Sequence, residues 1–459
     1  MKLINLKSNK FIIIIVLLTS LFTVDVQAQI PGRQWEQYQN VTDAGFSEEK
    51  LALVSQQFNN SQGSALMVVH SGKVVIAHGD ITRRYMVHSI RKAFMNALYG
   101  IYVDRGTLNL DATLQSMGID DINPLTSEEK KATIEDLLSA RSGVYLPSSY
   151  SPRGMEKNLP ERGSHASGAH WYYNNWDFNV LHTIFEQQSG KEFSKAFAKQ
   201  IAEPIEMEDF RQGDIFLRYE KERSIHPAYL FNMSTRDMAR FGVLYLNNGK
   251  WKSKQVVPAN WILKSTSIVS SDLGRFADRE GFGYLWWVSK GIKGEPMYYT
   301  SGSGGHRIIV LPQSDLVVVH RANTYEGRNV SESEIKQLVE KILEAKSGAV
   351  KKDAATIRLT PSYNLPKTIK LDRSTLEKYT GSYKHPFLGY FKVRNEKHKM
   401  FLDTNVGVFR LFATSTDTFF PEDLVTPMQF VPAPDKESKY TIKPMFSKDK
   451  QLQKAIMYY

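Results

Sequence analysis

The 459-residue chain has no cysteine. It therefore forms no disulfide and carries no acylated cysteine at a cleavage site, which excludes a conventional lipoprotein. Long apolar runs are nearly as scarce: beyond "FIIIIVLLTSLF" near the N-terminus, no segment is apolar enough to span a bilayer. The chain has 11 histidines but no His-Glu-x-x-His. His165, His170 and His182 stand at no recognised ligand spacing, so neither a metal nor a cofactor is expected. No internal repeat is present. A basic footprint around a working centre is missing too, because most of the net charge of +11 falls in residues 351–459, which carry 19 Lys and Arg against 11 Asp and Glu. Residues 29–350 are near neutral, which argues against a nucleic-acid enzyme. The basic tail fits a solvated face; contact with an anionic envelope surface is the alternative.

What is present begins with Lys2, Lys7 and Lys10 ahead of the apolar run and the small residues of "VQA" after it. This pattern predicts a signal peptide over residues 1–28, cleaved after Ala28, and hence a periplasmic or secreted protein with no membrane span after cleavage. An uncleaved anchor is the alternative, and the run is short for it.

The length exceeds what one core usually supports, so two domains are expected. In the first, residues 29–350, a helix from Ser47 to Phe58 precedes "ALMVVHSGKVVIAHG", two strands joined by a Ser-Gly turn. "TIEDLLSARSGV" reads as a capped helix stopped at Gly143, and residues 175–187 as another helix. "MSTRDMARFGVLYLNNG" is a third, with Ser234 or Thr235 as cap and Met238, Phe241, Leu244 and Leu246 as its apolar face. "RIIVLPQSDLVVVHRA" is a second strand pair, backed by a helix over 333–345. Strands at both ends with helices between imply an α+β fold: one antiparallel sheet from the chain's two extremities, flanked by helices, with a helical insert. Residues 351–366 read as a linker. Residues 367–459, with alternating segments such as "GYFKVRN", "KMFLDT", "VFRLFAT", "SKYTIKPMFS" and "KAIMYY", read as a small all-β barrel or sandwich.

The chemistry centres on "YMVHSIRKAFMNALYGIYV", residues 85–103. Phe94, Leu98 and Ile101, with Ala93 and Ala97, form an apolar stripe at helical spacing that should face a core, so the stretch looks like the front of an amphipathic helix and Lys92 is predicted to begin a helix that is mostly buried. Ser89 and Lys92 stand three apart and share one face. A lysine sheltered from water is easily held neutral and can then serve as base for a hydroxyl. Ser-x-x-Lys occurs five times in the chain, but the other four lie in charged stretches; a helix cap with a snorkelling lysine is the alternative reading. In "WYYNNWDFNVL", Tyr173 and Asn175 stand two apart just before a helix, where an extended turn points both into one cleft. The alternative there is packing plus a turn amide. A functional tyrosine would pass protons to and from a leaving group, and a functional asparagine would hold a substrate carbonyl. The third stretch, "YTSGSGGHRIIVLP", opens a strand edge whose glycines let a substrate backbone approach; turn chemistry also accounts for them.

Taken in order, these elements resemble the serine β-lactamase and penicillin-binding-protein superfamily, and more closely its class C-like branch containing family VIII esterases. "IAEPIEMEDF", "GFGYLWW" and "SDLVVV" extend the resemblance over about residues 45–345. The resemblance implies a β-lactamase/transpeptidase-like fold, with Ser89 as acylated nucleophile, Lys92 as its proton partner and Tyr173 as general base and acid. It implies Asn175 as a substrate-binding amide, and Thr300, Ser301 and Gly302 on the substrate-binding strand. The backbone N–H groups of Ser89 and Ser303 would form the oxyanion hole, and the tail is similar to the β-rich domain appended to many such hydrolases.

One departure matters: Thr300 stands where true β-lactamases and transpeptidases have a cation that helps hold the substrate carboxylate. Small ester, amide or peptide-like substrates are therefore expected ahead of β-lactams. His306 and Arg307 lie off the motif position, and an arginine opening a strand is expected at the surface. The alternatives are a β-lactamase or D,D-peptidase, and a binding or sensing protein that keeps the fold without turnover. Trp171, Trp176, Trp286 and Trp287 are assigned to core or cleft lining, and "ERGSHASGAHW" to a cleft wall or a surface loop.

Overall fold

A computed structural model of the chain describes residues 29–151, 153–361, 366–385, 389–404, 407–423, 427–432 and 440–444. The expected signal peptide and the segment "KAIMYY" lie outside the described residues. Strand β1 (Glu36–Tyr38) leads through helix α1 (Glu48–Asn60) into the hairpin β2 (Ala65–His70) and β3 (Lys73–Gly79). An insert follows: strand β4 (Tyr85–Met86), helix α2 (Arg91–Asp104), helix α3 (Asn175–Ser189), strands β5 (Ile215–Arg218) and β6 (Ala228–Met233), and helix α4 (Thr235–Leu246). The chain returns through β7 (Gly281–Phe282), β8 (Trp287–Ile292), β9 (Glu295–Gly302), β10 (His306–Leu311) and β11 (Leu316–Arg321), then helix α5 (Glu332–Ala345) and edge strand β12 (Thr356–Arg358).

Nine of these strands make one sheet in the order β12-β1-β3-β2-β11-β10-β9-β8-β7. Its pairs are antiparallel except β1 with β3, where Gln37 lies opposite Val74 in parallel. The β2–β3 hairpin turns tightly because Ser71 and Gly72 both take left-handed φ, 49° and 70°, a backbone twist that matches the strands it joins. Every residue of β2, β10 and β11 is buried, as expected for strands covered on both faces. Alternation along β11 puts Val317 and His320 on opposite faces. Val317 meets α4, close enough that a Cβ on Gly242 would come within 2.5 Å of it, whereas His320 meets Phe58 of α1, which packs beside α5.

Helix α2 is buried as expected and more completely than its apolar stripe implies: every residue from Arg91 to Tyr102 is buried. Its polar positions are bonded internally instead of solvated, as Asn96 shows by donating to Tyr284 O at 2.9 Å and accepting from Tyr245 Oη at 2.6 Å. The helix expected over 133–144 spans only Ile134–Leu138. Thr133 and Asp136 cap it reciprocally, but Ser139 Oγ folds back onto Glu135 O and Ala140 takes φ 58°. Gly143 is not its stop; at φ 71° it gives room to the 165–166 backbone, 2.7 Å from a would-be Cβ. Finally, β12 falls inside the stretch read as linker, where Tyr38 opposite Thr356 and Glu36 opposite Arg358 extend the sheet by one edge.

Beyond it, a separate seven-stranded antiparallel sheet runs from Gly381–His385 to Tyr440–Pro444. Its own core includes Val393, Leu402, Phe409, Phe419 and Phe430. The two sheets' domains meet at Arg84, whose backbone N and Nη2 donate to Asp423 at 2.8 and 2.6 Å while Nη1 donates to Asp214 at 2.7 Å. Among the described residues no helix is long and apolar enough to cross a membrane.

Candidate active site

Between β4 and α2 the chain makes one 3-10 turn, His88–Ile90. Ser89 thus stands in the turn ahead of the helix, not in the helix itself. Ser89 and Lys92 still share one face, because residues three apart also align in a 3-10 turn. Lys92 Nζ is hydrogen-bonded to Ser89 Oγ at 2.8 Å. The lysine is only 2% exposed, and its nitrogen lies 4.8 Å from the ring centres of both Tyr173 and Phe178. Burial holds its pKa well below the ordinary lysine value, and the neighbouring Arg91 guanidinium pushes it the same way.

Tyr173 reaches the same place from the segment before α3, its ring centre 4.8 Å from the Lys92 amine that is bonded to Ser89. Its ring is stacked on Trp287 at 5.6 Å and meets Phe178 edge-on at 5.0 Å. Burial raises the phenol pKa, while the neighbouring Ser89 hydroxyl and the charges of Arg91 and Arg279 pull it back. Ser89, Lys92 and Tyr173 therefore meet at one point.

Asn175 lies in the first turn of α3 instead of an extended turn, because Asn174 caps that helix through a bond to Trp176 N at 3.1 Å. Asn175 Nδ2 donates to Tyr150 O at 3.3 Å, and its Oδ1 is buried with no partner among the described residues. The same helix end ties down the 142–150 loop. Ser142 donates to Asp177 at 2.7 Å, Asn174 to Val144 O at 2.6 Å, and Asn179 to Ser149 O at 3.0 Å.

Strand β9 closes the other side. Thr300 is buried, its Oγ1 accepting from Ile308 N at 3.3 Å, and Ser301 is half-buried. At Gly302 a Cβ would lie 2.5 Å from Val87 O and 3.4 Å from His88 Cβ, so the strand edge runs directly against the turn that carries Ser89. Ser303 follows in the turn to β10, where Gly304 and Gly305 take φ 87° and 90°.

Arg307 is not at the surface. It is buried beneath α5, ion-paired with Glu332, and donates to His306 O at 2.8 Å. Glu332 also takes Arg279 at 2.8 Å. The Arg307 charge is thus engaged internally. Among the described residues no group of three or more His, Asp or Glu is placed to hold a metal.

Two contributors have no site role in the sequence: Trp287, expected only as core or cleft lining, and Arg91. Trp287 orients the Tyr173 ring, which no spacing announces because the residues lie in different elements. Arg91 stands inside the Ser-Ile-Arg-Lys motif itself, and its burial was the available signal, since it precedes Lys92 on an otherwise apolar helix.

The sequence matches the Beta-lactamase family model over residues 52–339, a span that holds all the residues gathered here. The fold is similar to the crystal structure of SurE with D-Leu, with a TM-score of 0.50 at 16% identity over 88% of this chain and 98% of that one. It is also similar to a protein named as a 6-aminohexanoate-dimer hydrolase from Bacillus anthracis, with a TM-score of 0.50 at 18% identity over 69% of this chain and 89% of that one. No curated protein matches the sequence. The family match spans well over half of the chain, and with the sheet, the helical insert and the Ser89 cluster in place, the chain belongs to the beta-lactamase family.

Proposed function

We propose that the protein is an exported serine hydrolase that cleaves ester or amide bonds of small molecules through an acyl-enzyme on Ser89. The contact that carries this reading is the 2.8 Å hydrogen bond between a buried amine and the Ser89 hydroxyl. A neutral Lys92 takes the Ser89 proton as Oγ adds to the substrate carbonyl. The negative charge on the carbonyl oxygen is met by the backbone N–H groups of Ser89 and Ser303, a reading supported by the close approach of Gly302 to Val87. Tyr173 relays the proton to the leaving alcohol or amine, and the carbon–oxygen or carbon–nitrogen bond breaks. Water then adds to the acyl-enzyme, gives a proton back through Tyr173 and Lys92 to Ser89, and releases the acid.

Asn175 supplies a buried amide oxygen with no partner among the described residues, suited to a substrate N–H. The preference for esters and amides over β-lactams rests on Thr300, an uncharged residue already bonded to Ile308 N, and on Arg307, whose charge is paired with Glu332. Export is supported by the Lys-rich start and apolar run of residues 1–28.

The test is labelling by a fluorophosphonate probe, compared between the wild type and Ser89→Ala, followed by a panel of acyl esters, simple amides and a chromogenic cephalosporin. Labelling of the wild type alone, with ester or amide turnover exceeding cephalosporin turnover, is expected. Equal labelling of both proteins would refute the site. Cephalosporin turnover matching the esters would favour the β-lactamase or D,D-peptidase reading, and a stable adduct without turnover would favour a sensor.

A further inference from the structure

The motif brings a second cation to the site. Arg91 is 2% exposed. Its Nη2 donates to Asn179 Oδ1 at 3.3 Å, its guanidinium lies 4.4 Å from the centre of the Tyr229 ring, and Nη1 is buried without a partner among the described residues. A guanidinium keeps its proton at neutral pH, so this is a charge in the interior, balanced among the described residues by an amide and an aromatic face and not by a carboxylate. Burying a charge on such terms is costly, and an apolar side chain of similar size would pack there more cheaply. The charge therefore calls for a use.

Its surroundings supply one. From its own segment it is flanked by His88 and Lys92. From the side of α3 it faces Asn179, with Tyr173 and Phe178 around the Lys92 amine. From β6 it faces Tyr229, behind which His182 is stacked at 5.6 Å, with Glu186 3.5 Å beyond His182. Asp177, the acid closest in sequence to this layer, is turned away to Ser142 and Asn174.

Resting on the Ser89 reading above, we propose that Arg91 is a positioning residue for the reacting group, its fixed charge keeping Lys92 in the free-amine form and favouring ionisation of the Tyr173 hydroxyl. A like charge destabilises the ammonium, and an unlike charge stabilises the phenolate, so both effects prepare the Ser89 hydroxyl to lose its proton. The directions agree: Arg91 lowers the Lys92 amine, the Tyr173 phenol and the His88 imidazole alike.

The experiment measures the rate of fluorophosphonate labelling against pH in the full-length wild type, Ser89→Ala, Arg91→Met, Arg91→Gln and Arg91→Lys. The wild type should lose labelling on the acid side as Lys92 takes a proton. With the neighbouring charge removed, protonation becomes easier, so in Arg91→Met and Arg91→Gln this limb should move up by about one pH unit, with labelling below the limb about tenfold slower. Arg91→Lys restores a charge and should return the limb to within about 0.3 unit of the wild type. The position of a limb does not depend on how much of a preparation is folded, so a poorly folding variant still gives an answer, and two neutral variants guard against loss of one. An unmoved limb in both neutral variants, or an equal shift in Arg91→Lys, overturns the proposal. Equal labelling of Ser89→Ala would instead overturn the nucleophile assignment. An inert Ser89→Ala with unmoved neutral variants overturns the Arg91 role alone.

Discussion

Replacing Gly302 by alanine should inactivate the protein while leaving it folded. The added Cβ would sit 2.5 Å from Val87 O, 3.2 Å from His306 Cβ and 3.4 Å from His88 Cβ. An ordinary contact needs about 3.5 Å, so roughly 1 Å must open between β9 and the turn carrying Ser89. The obstacle is backbone, and Val87 cannot swing away freely because its N–H donates to Phe231 O at 2.9 Å. The strand edge must give, and with it Ser303 N. A misplacement of about 1 Å costs on the order of 100-fold in rate, and loss of one oxyanion donor costs about 100- to 1,000-fold, so kcat for an activated ester should fall by at least roughly two orders of magnitude. Overpacking should cost about 1–3 kcal/mol of stability. Gly242→Ala is the control, since its Cβ would meet Val317 Cγ1 at 2.5 Å and Ile308 Cγ2 at 3.0 Å, overpacking the sheet away from Ser89. It should lose comparable stability and keep kcat within about twofold, as independent sites do. Ester kinetics and urea unfolding on both variants decide the matter. A folded Gly302→Ala with near-wild-type kcat, or a Gly242→Ala that loses as much activity, would refute the reasoning.

Tyr173→Phe keeps the stack on Trp287 and the edge contact with Phe178 but removes the hydroxyl; turnover should drop about 100- to 10,000-fold at a stability cost of about 1 kcal/mol, read from ester kinetics and thermal unfolding. Lys92→Met removes a desolvated amine from a fully buried helix, so labelling should vanish while the urea midpoint rises by the equivalent of about 0.5–2 kcal/mol; a loss of stability would argue that the amine is not strained by burial. Asp214 is pushed up to about 6 by burial, against the pull of Arg84. Because its folded pKa exceeds the ordinary 3.8, the stability it contributes is complete below about pH 4 and declines as pH rises through about 6. The difference in unfolding free energy between the wild type and Asp214→Asn should therefore shift by up to about 3 kcal/mol between pH 4 and pH 7, and an equal difference at both pH values would show that Arg84 keeps this carboxylate ionised throughout.

Much of the site can be read from the chain because its parts are short contiguous motifs. Ser89 and Lys92 are one turn apart whatever the helix type, and the apolar residues after Lys92 already imply a buried amine. Periodicity does not reveal where the polar positions of the buried helix α2 find their partners. Asn96 is satisfied by Tyr245 and Tyr284, and Arg91 donates to Asn179, partners 80 or more positions away. Local competition explains the shortened helix at 134–138, where a serine side chain bonding back to Glu135 O ended a pattern that still looked helical. The strand in the expected linker, Thr-Ile-Arg, is too short to register as a period of two and exists because β1 leaves an open edge. Arg307 opens a strand, a position that favours solvent until α5 lays Glu332 over it.

The turn that presents Ser89 is itself strained, and the chain spends distant residues to hold it. His88 takes φ 52°, which costs a residue with a side chain about 1–2 kcal/mol and persists only where the surroundings over-determine it. Arg321, at the end of β11, donates to Met233 O at 2.7 Å, to Tyr85 O at 3.0 Å and to His306 Nδ1 at 2.6 Å. Burial lowers its pKa only to about 9, so it remains charged at neutral pH, and burial keeps His306 neutral and able to accept. The His306 ring lies 5.3 Å from His88, whose Nε2 is 2.8 Å from Thr324 Oγ1. On the other flank, Arg84 fastens the start of β4 to Asp423 of the second sheet. The strand and turn leading to Ser89 are thus braced from β11, from the loop after it and from the C-terminal domain. That domain therefore bears on the approach to the nucleophile through Arg84, even though none of its residues is among those gathered around the Ser89 hydroxyl.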